Sequence, residues 1–411
     1  MSHALVSKFS DAWLIAGQRT PFVDYASAFA QISPTDLAIK AARAALAKSG
    51  VSPEKIGAVV TGNMAQSSFD AYMLPRHTGL YSGVPQHVPA LMVQRVCGTG
   101  VEAVMQAADA VSLGRASYAL VAGTESMSRN PVASYSTRTG FRLGAPEFKD
   151  FLWESLLDTS CGCTMGQTAE NLAKKYGLSR EEVDAFAAQS FARAIAAQQA
   201  GFFDDEIIPV SNEVFKLEGH ADRSIRIAGK EPTIAADTHV RPSSIEQPAK
   251  IRPAFGGVQT GGNSSGVVDG AASVVIASGA EAKAHGKPLA RILVGASVGV
   301  EPKYMGIGPV PAIEAVAAAA GIKVSDIDRI EINEAFSAQC LACARELNLD
   351  EGKLNVNGGA IAIGHPLGAT GVRLTLTVAR ELQRSGKRYG VASACIGGGQ
   401  GIALLVENVA A

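Results

Sequence analysis

Hydrophobic residues along this chain follow two alternating spacings. Short runs rich in β-branched residues predict strands, and the alanine-rich segments between them place apolar residues three to four positions apart, which predicts helices. In the first third, strands are predicted at residues 13–16, 57–61, 91–96 and 118–122, with helices at 33–48 and 97–113. In the last third, strands are predicted at 291–300, 329–333 and 389–395, with helices at 310–320 and 369–384. The alternation predicts an α/β fold of layered helices and sheets.

The two ends of the chain also share a faint internal repeat. Thr-Gly-Val occurs at residues 99–101 and again at 370–372, each time at the start of a helical pattern. A tyrosine then opens the next predicted strand, Tyr118 in one case and Tyr389 in the other, and the same interval separates both pairs. The repeat predicts a duplicated half-domain.

Between these ends, from about residue 125 to residue 255, the pattern changes. The segment contains a helix start with a predicted capping box, Ser179 to Glu182, and a polar stretch with prolines at 211–253. It is too long and too apolar in part to be a linker. We therefore expect an inserted subdomain that faces the substrate.

Composition narrows the class of protein. The chain has 411 residues, 47% of them hydrophobic and 18% charged, so it can bury a large core in roughly two to three domains. A net charge of −1 without a long Lys/Arg run argues against a nucleic-acid surface, and the longest uncharged stretch is split by glycines, which argues against a membrane span. Six cysteines in this length are not a disulfide scaffold, so a reducing cytoplasm is expected.

Two cysteines lie close to glycines in the sequence, where the backbone carries no side chain. Cys395 ends a predicted strand and is followed by Ile396 and three glycines. Its thiol can move a proton, and glycine amides can approach an oxyanion closely. Cys97, in VCGTG, lies at a predicted helix start, where amide groups favour a nucleophilic thiolate. Either cysteine, taken alone, is more often a packing residue.

One histidine and one asparagine add polar chemistry. His365 lies in GGAIAIGHPLGATG, where glycines and Pro366 hold the imidazole on a rigid loop. A general base for a thiol needs such a position and a pKa near neutral. Asn333 opens NEAF at a strand-to-helix junction, where its amide either holds a water or an oxyanion, or caps the helix.

The remaining cysteines do not predict a metal site. Cys340 and Cys343 share one face of a helical pattern, and Cys161 and Cys163 form a Cys-x-Cys. No second pair or histidine stands at zinc spacing, so all four are interpreted as packing or loop residues.

Together these segments resemble the thiolase family, over nearly the whole chain. Each segment is short, and it is their order and spacing together that make the resemblance specific. The matching segments are RTP from Arg19, VCGTG, ESMS from Glu125, MGQTAENLAKKYGLSREEVDAFA from Met165, RPAF from Arg252, TGGNSSGVVDGA from Thr260, MGIGPVPA from Met305, NEAF, GGAIAIGHPLGATG and CIGGGQG.

The resemblance implies a fold and an assembly. The fold is a five-layered αβαβα core of two similar halves with an inserted loop domain. Residues 1–124 and 256–280 would form the N-terminal half and 281–411 the C-terminal half. Residues 125–255 would form the loop domain, which binds CoA and makes oligomer contacts. A homodimer or homotetramer is implied.

The resemblance also implies a reaction. Cys97, deprotonated by His365, would attack an acyl-CoA to form an acyl-enzyme. Cys395 would then take a proton from the α-carbon of acetyl-CoA for a Claisen condensation, and the reverse reaction would be thiolysis of a 3-oxoacyl-CoA. His365 and a water held by Asn333 would stabilise the enolate. The amides of Cys97 and Gly397 would stabilise the tetrahedral intermediate.

Further residues are implied to bind CoA, which enters as substrate and product, with no tightly bound cofactor. The implied contacts are Ser265 to the pantetheine, Arg241 to the adenosine end, Phe255 and Phe336 as an apolar wall, and Met165 and Met305 along the acyl pocket. Departures from the family pattern are Thr164, where many acetyl-CoA-specific members carry histidine, Thr99 in place of serine, and Phe22-Val23-Asp24 in place of a small residue and glycine.

The expected function is an acyl-CoA:acetyl-CoA C-acyltransferase with a preference for acetoacetyl-CoA. One alternative is a degradative 3-ketoacyl-CoA thiolase for longer or branched chains. An alternative of another class is a non-catalytic acyl-CoA or lipid-binding protein on the same scaffold. A redox or metal protein using the six cysteines is the third.

Overall fold

A computed structural model describes residues 4–66, 68, 70–141, 143–243 and 250–410. The strands are β1 (Leu5–Arg19), β2 (Val23–Asp24), β3 (Ala58–Gly62), β4 (Ala90–Val93), β5 (Tyr118–Ser126), β6 (Val132–Ala133), β7 (Lys149–Asp150), β8 (Leu157–Asp158), β9 (Cys163–Thr164), β10 (Val210–Ser211), β11 (Glu213–Phe215), β12 (Arg223–Ile225), β13 (Thr233–Ile234), β14 (Val268–Ala277), β15 (Ala290–Gly299), β16 (Arg329–Ile332), β17 (Tyr389–Ile396) and β18 (Gln400–Glu407). The helices are α1 (Pro34–Ser49), α2 (Leu74–Tyr81), α3 (Thr99–Ser112), α4 (Phe151–Ser155), α5 (Met165–Tyr176), α6 (Arg180–Gln199), α7 (Gly279–Ala284), α8 (Pro309–Ala320), α9 (Ser337–Glu346), α10 (Ala360–Ile363) and α11 (Leu367–Ser385). None of these helices is both long and apolar enough to cross a membrane.

Ten strands form one mixed sheet, in the order β16-β17-β18-β15-β1-β14-β5-β3-β4, with β2 paired to β14. The pairs β3–β4, β3–β5 and β16–β17 are parallel and the others antiparallel. Strand β1 lies between the two halves of the sheet. Its first part pairs with β15 and its last part with β14. Register shifts along β1 mark irregularities that let one strand serve both.

The sheet and helices form the five layers that were predicted. Helices α3 and α11 lie in the middle, in one apolar cluster with strands from both ends of the sheet. Helix α1 covers the outer side of β1, β5 and β14, and helix α8 covers the outer side of β15, β17 and β18. The fold-class prediction is confirmed.

The Thr-Gly-Val repeat marks the point where the two middle helices cross. A Cβ on Gly100 would lie 2.7 Å from the backbone nitrogen of Gly371, and a Cβ on Gly371 would lie 2.1 Å from the nitrogen of Val101. Only glycine permits this backbone contact. Strand β5 begins at Tyr118 and β17 at Tyr389, as the repeat predicts. The exact domain boundaries stay a prediction.

Strand β14 was not predicted, and the elements that were predicted agree with the observed ones within a few residues, except for β1. Only residues 13–16 were predicted, whereas the strand is Leu5–Arg19. Its first half carries exposed polar side chains, among them Lys8, Ser10 and Asp11, which hide the apolar alternation. The capping box of Ser179 and Glu182 at the start of α6 is confirmed.

Buried ion pairs fasten the segment that follows α6 to the core. Arg19, at the end of β1, pairs with Asp237 at 2.7 Å and with Glu206 at 3.1 Å, and all three side chains are buried. Because an unpaired charge in this interior would be strongly destabilising, these pairs specify where the segment sits. His239, two residues after Asp237, lines the cavity described next.

Candidate active site

A cavity of about 360 Å³ brings most of the predicted residues together. Its wall is mainly apolar with a few polar groups, which is typical of small-molecule sites. Seven predicted residues line it: Cys97, Met165, Phe255, Ser265, Met305, Phe336 and His365. The sequence analysis missed others in the wall, including Met127, Trp153, Leu156, His239 and Leu367.

Cys97 lies in the turn between β4 and α3, with its backbone tightly constrained. Val96 before it has φ 44°, a strained value for a β-branched residue. A Cβ on Gly98 would lie 2.6 Å from Ile396 Cδ1, so glycine lets this turn lie against the end of β17. Consequently the backbone N–H groups of Gly397 and of Cys97 itself both face the Cys97 sulfur. Two such donors can stabilise an oxyanion formed beside the thiol.

The backbone N–H groups beside Cys97 favour its thiolate, but burial of the sulfur opposes them. Burial raises the pKa of Cys97 to about 11, although the N–H groups of Gly397 and Cys97 lower it, while the carboxylate of Glu125 raises it further. Desolvation of the sulfur outweighs the amides in the free protein. Cys97 is therefore a neutral thiol at neutral pH.

His365 has an assignable tautomer. Its Nδ1 lies 2.6 Å from Thr370 Oγ1, which lies 3.1 Å from the carbonyl of Pro366. A carbonyl only accepts, so the Thr370 hydroxyl donates to Pro366 and accepts from Nδ1–H. The lone pair of Nε2 is then available and accepts from Asn333 Nδ2 at 3.2 Å. The His365 backbone N–H also donates to the Gly266 carbonyl at 2.9 Å, which fixes the loop.

The surroundings of His365 move its pKa away from the near-neutral value that suits a general base. Burial lowers the pKa of His365 to about 3, and the positive charge of Arg373 lowers it further. The imidazole is therefore neutral and can accept a proton at physiological pH. In the free protein, burial thus favours a neutral Cys97 thiol and a neutral His365 imidazole.

We expect alkylation of Cys97 to report this neutral thiol. Because the thiolate fraction rises tenfold per pH unit below the pKa, the rate of Cys97 modification by iodoacetamide should rise about tenfold per unit between about pH 7 and pH 10. Peptide mass spectrometry can follow Cys97 alone, with N-acetylcysteine as the reference thiol. A rate that levels off below pH 9 would contradict the raised pKa.

Asn333 follows β16 and faces His365. Its backbone N–H donates to Ser393 at 2.9 Å, and its side-chain Oδ1 is buried with no hydrogen-bond partner among the described residues. A buried acceptor without a partner is costly, so this atom marks a place for a water or a substrate group. The helix-cap alternative is wrong, because α9 begins at Ser337 with Phe336 as its N-cap.

Cys395 lies near the end of β17, completely buried and paired across the strands with Gly401. It belongs to one apolar cluster with Met165, Met305 and Phe336. Burial, and next the nearby Cys97 sulfur, raise the pKa of Cys395 well above its usual range. The two thiols are thus close enough to interact, and both are neutral at rest.

The glycines after Cys395 form the turn into β18. Gly398 and Gly399 both have φ 86°, and a Cβ on Gly399 would lie 2.4 Å from the Val300 carbonyl oxygen. Gly397 is different, since an added Cβ would only approach the flexible Met165 Sδ, at 3.2 Å. What Gly397 contributes to the site is its backbone N–H.

This predicts opposite outcomes for two variants of Gly397. Gly397→Ala keeps the N–H and should retain most activity. Gly397→Pro removes the N–H and should lower kcat by about 10²–10³-fold, the typical loss for one oxyanion donor. Circular dichroism and thermal melting would check that both variants fold. Equal activity of the two folded variants would contradict a role for the Gly397 amide.

Two aromatic rings and a backbone turn shape the entrance. Phe255 and Phe336 meet edge to face, with ring centroids 6.2 Å apart. Glu170 on α5 accepts from the N–H groups of Val258 and Gln259, at 2.9 and 2.6 Å, and so holds the turn after Phe255. The Ser265 backbone N–H donates to the Ala335 carbonyl at 3.0 Å. The result is an apolar wall beside a half-buried serine.

Arg241 is outside the residues that line the cavity. Its Nη1 lies 3.2 Å from Nδ1 of His239, and its guanidinium lies over the Phe191 ring at 5.3 Å. His239 does line the cavity, and its Nδ1 lies 2.6 Å from an Asp24 carboxylate oxygen. Arg241 therefore contacts His239, which lines the cavity, and does not line the cavity itself. The only feature of the sequence that could have pointed to His239 as a cavity residue is its position two residues before Arg241.

Family models match both halves of this chain. The thiolase N-terminal domain matches residues 12–280, and the thiolase C-terminal domain matches residues 286–408. The chain belongs to the thiolase family. Thiolases are acyltransferases that act on CoA thioesters, and the sequence-based identification and enzyme class are thereby confirmed.

Among curated relatives, this thiolase is 45% identical to human mitochondrial 3-ketoacyl-CoA thiolase over 403 residues, which covers 97% of this chain and 98% of the relative. It is 40% identical to an acetyl-CoA acetyltransferase of Cupriavidus necator, covering 97% and 100%. A crystal structure of human mitochondrial 3-ketoacyl-CoA thiolase superposes with TM-score 0.92 at 43% identity, covering 98% and 100%. The same human enzyme in complex with CoA superposes with TM-score 0.90 at 43% identity, covering 97% and 98%.

Proposed function

We propose that this thiolase forms an acyl-enzyme on Cys97, from which the acyl group passes to the α-carbon of acetyl-CoA in condensation or to the sulfur of CoA in thiolysis. The observation that supports this most is that Cys97 and His365 line one cavity, while the backbone N–H groups of Cys97 and Gly397 face the Cys97 sulfur. Nucleophile, base and oxyanion donors together are what acyl transfer requires.

In the first step, Nε2 of His365 accepts the Cys97 proton while the sulfur attacks the thioester carbonyl. The carbonyl oxygen becomes an oxyanion held by the N–H groups of Cys97 and Gly397. The CoA sulfur then leaves and an acyl thioester remains on Cys97. Burial favours the neutral form of both groups in the free protein, so the proton moves from thiol to imidazole as the sulfur attacks.

When the CoA sulfur leaves, it takes the proton of the neutral Cys395 thiol. In the second step, the resulting Cys395 thiolate removes the α-proton of acetyl-CoA. The enolate oxygen is stabilised by a water bound to Asn333 and by His365 when Nε2 carries a proton. The α-carbon attacks the acyl group on Cys97, the new carbon–carbon bond forms, and the Cys97 sulfur leaves. Thiolysis is the same sequence in reverse.

For the substrate, we propose straight-chain 3-oxoacyl-CoA esters extending beyond acetoacetyl-CoA. The cavity wall carries Trp153, Leu156 and Met127 in addition to the two predicted methionines. Thr164 stands where many acetyl-CoA-specific thiolases carry histidine, which leaves this wall less polar. The relatives named 3-ketoacyl-CoA thiolase support the same choice.

The second candidate is condensation of two acetyl-CoA molecules, with acetoacetyl-CoA preferred. The identity of 40% to an enzyme named acetyl-CoA acetyltransferase favours it. CoA itself would bind with its pantetheine along Ser265, Phe255 and Phe336 and its adenosine end toward Arg241, as substrate rather than resident cofactor.

A thiolysis series separates the two candidates. The kcat/KM values for acetoacetyl-CoA, 3-oxohexanoyl-CoA, 3-oxooctanoyl-CoA and 3-oxododecanoyl-CoA should rise beyond acetoacetyl-CoA, because each added methylene buried on an apolar wall contributes about 0.8 kcal/mol. A maximum at acetoacetyl-CoA would favour the second candidate. Binding of CoA esters without turnover would favour the non-catalytic alternative.

We also propose a cytoplasmic homodimer or homotetramer. Free thiols at all six cysteines suit a reducing compartment. The edge strand β4 and the nearby helix start expose Leu91, Tyr72 and Met73, and the segment 132–148 exposes Tyr135 and Leu143. Such apolar exposure suits two subunit contacts. Light scattering should give two or four times the 42.4 kDa chain mass, and subcellular fractionation tests the compartment.

A further inference from the structure

The hairpin β8–β9 carries two cysteines that the proposed reaction leaves unused. Cys161 and Cys163 are partly exposed and separated by Gly162, whose φ of 68° tightens the turn. Both are free thiols. By contrast, Cys97, Cys340, Cys343 and Cys395 are buried.

The two sulfurs lie inside the same turn. Cys161 Sγ lies 4.0 Å from the Asp158 carbonyl oxygen, and Cys163 Sγ lies 3.6 Å from the Cys161 carbonyl oxygen. The thiol and the backbone N–H of Cys163 are both close enough to the Cys161 sulfur to influence its pKa. A disulfide between Cys161 and Cys163 therefore requires only a conformational change within this turn. No helix or strand has to move relative to another.

The surroundings of the two sulfurs differ. Asn171 Nδ2 lies 4.0 Å from Cys163 Sγ, and the ammonium of Lys303, which pairs with Glu301 at 2.8 Å, interacts electrostatically with Cys163. An amide donor and a cation beside a sulfur can stabilise the charge that develops when that sulfur attacks, and Cys161 has no such neighbours among the contacts above. Burial and the Cys163 thiol raise the pKa of Cys161. Cys163 is thus the better attacking thiol and Cys161 the resolving one.

We propose that Cys161 and Cys163 form a modification site that hydroperoxides oxidise to a disulfide. The Cys163 thiolate attacks one peroxide oxygen, the O–O bond breaks, and Cys163 becomes a sulfenic acid while the other oxygen leaves as water or an alcohol. The Cys161 thiolate then attacks the Cys163 sulfur, the S–S bond forms and water leaves. Two thiols are oxidised by two electrons, and the peroxide is reduced.

The site is connected to the cavity through two short elements. Cys163 pairs with Asp158 in the hairpin, and the next residue, Thr164, caps α5 by accepting from the Gln167 N–H at 3.3 Å. The Met165 N–H donates to the Leu156 carbonyl at 2.9 Å, and both of these residues line the cavity. Closing the disulfide shifts Cys163 and hence this wall, a consequence that rests on the proposed function.

Mass spectrometry of the full-length protein tests the proposal. After treatment with hydrogen peroxide and alkylation under denaturing conditions, the peptide containing Cys161 and Cys163 should lose two hydrogen masses and take up no alkylating reagent. Cys97 and Cys395 should still be alkylated, and dithiothreitol should reverse the change. In Cys161→Ser, a dimedone-trapped sulfenic acid should appear on Cys163 instead.

An activity measurement tests the connection to the cavity separately. Peroxide should raise KM for a medium-chain 3-oxoacyl-CoA by about three- to tenfold, the scale of a lost apolar contact, in the wild type and not in Cys161→Ser. Ser160→Ala serves as the matched control in the same turn and should respond like the wild type. A disulfide at any other pair, or loss of the Cys97 thiol before these two react, would overturn the proposal. The mass readout does not depend on thiolase activity.

Discussion

Replacing Cys97 with serine should lower kcat for thiolysis by at least about 10³-fold, because a hydroxyl is a far weaker nucleophile than a thiol. His365 cannot compensate. A hydroxyl is a much weaker acid than a thiol, so transfer of its proton to His365, whose pKa is lowered by burial and Arg373, is less favourable still. The variant should still bind CoA esters, since the cavity wall is otherwise unchanged. Steady-state kinetics and calorimetric binding of CoA would measure the two effects.

Cys161→Ser is the matched control for the loss of a thiol. It removes a cysteine outside the residues that line the cavity and should leave kcat of the reduced enzyme unchanged. Substantial residual activity in Cys97→Ser, with a melting temperature like that of the wild type, would show that another residue is the nucleophile.

Replacing Cys395 with alanine should separate the two chemical steps. The variant keeps Cys97, His365 and the Gly397 N–H, so acylation of Cys97 by acetyl-CoA should persist. It lacks the thiol that exchanges a proton with the α-carbon, so condensation and thiolysis should fall by about 10²–10⁴-fold, the usual contribution of a positioned acid or base. Cys395 is fully buried, so alanine leaves a small cavity and melting must be checked.

Two assays read the steps independently in Cys395→Ala. Transfer of acetyl groups from acetyl-CoA to isotopically labelled CoA reports acylation only, whereas acetoacetyl-CoA cleavage reports the carbon–carbon step. Exchange should stay within about tenfold of the wild type. If both activities fell to the same extent, Cys395 would have only a packing role. If cleavage were unchanged, Cys395 would not be the acid or base of the carbon–carbon step.

The sequence predicted the reacting groups because their settings are local. Gly98 beside Cys97, the glycines after Cys395 and the Gly-His-Pro turn are short-range features that fix backbone geometry wherever the fold carries them. The Thr-Gly-Val repeat likewise reports a real contact, since Gly100 and Gly371 lie where the two middle helices cross.

What the sequence could not predict depends on tertiary burial. The helix start beside Cys97 suggested a thiolate, yet desolvation by distant elements raises its pKa to about 11. His239 carries no motif of its own, and its role in the cavity wall arises from Asp24, which is far away in the chain and one of the departures from the family pattern. The early part of β1 was missed because its exposed polar residues resemble a loop.

The central claim is that Cys97 carries the acyl group and Cys395 does not. Incubating the enzyme with acetyl-CoA, quenching in acid and mapping the acetylated peptide by mass spectrometry tests it most directly. The result expected is one acetyl group on the Cys97 peptide, in the wild type and in Cys395→Ala alike. An acetyl group on Cys395, or an unmodified Cys97 under turnover, would contradict it.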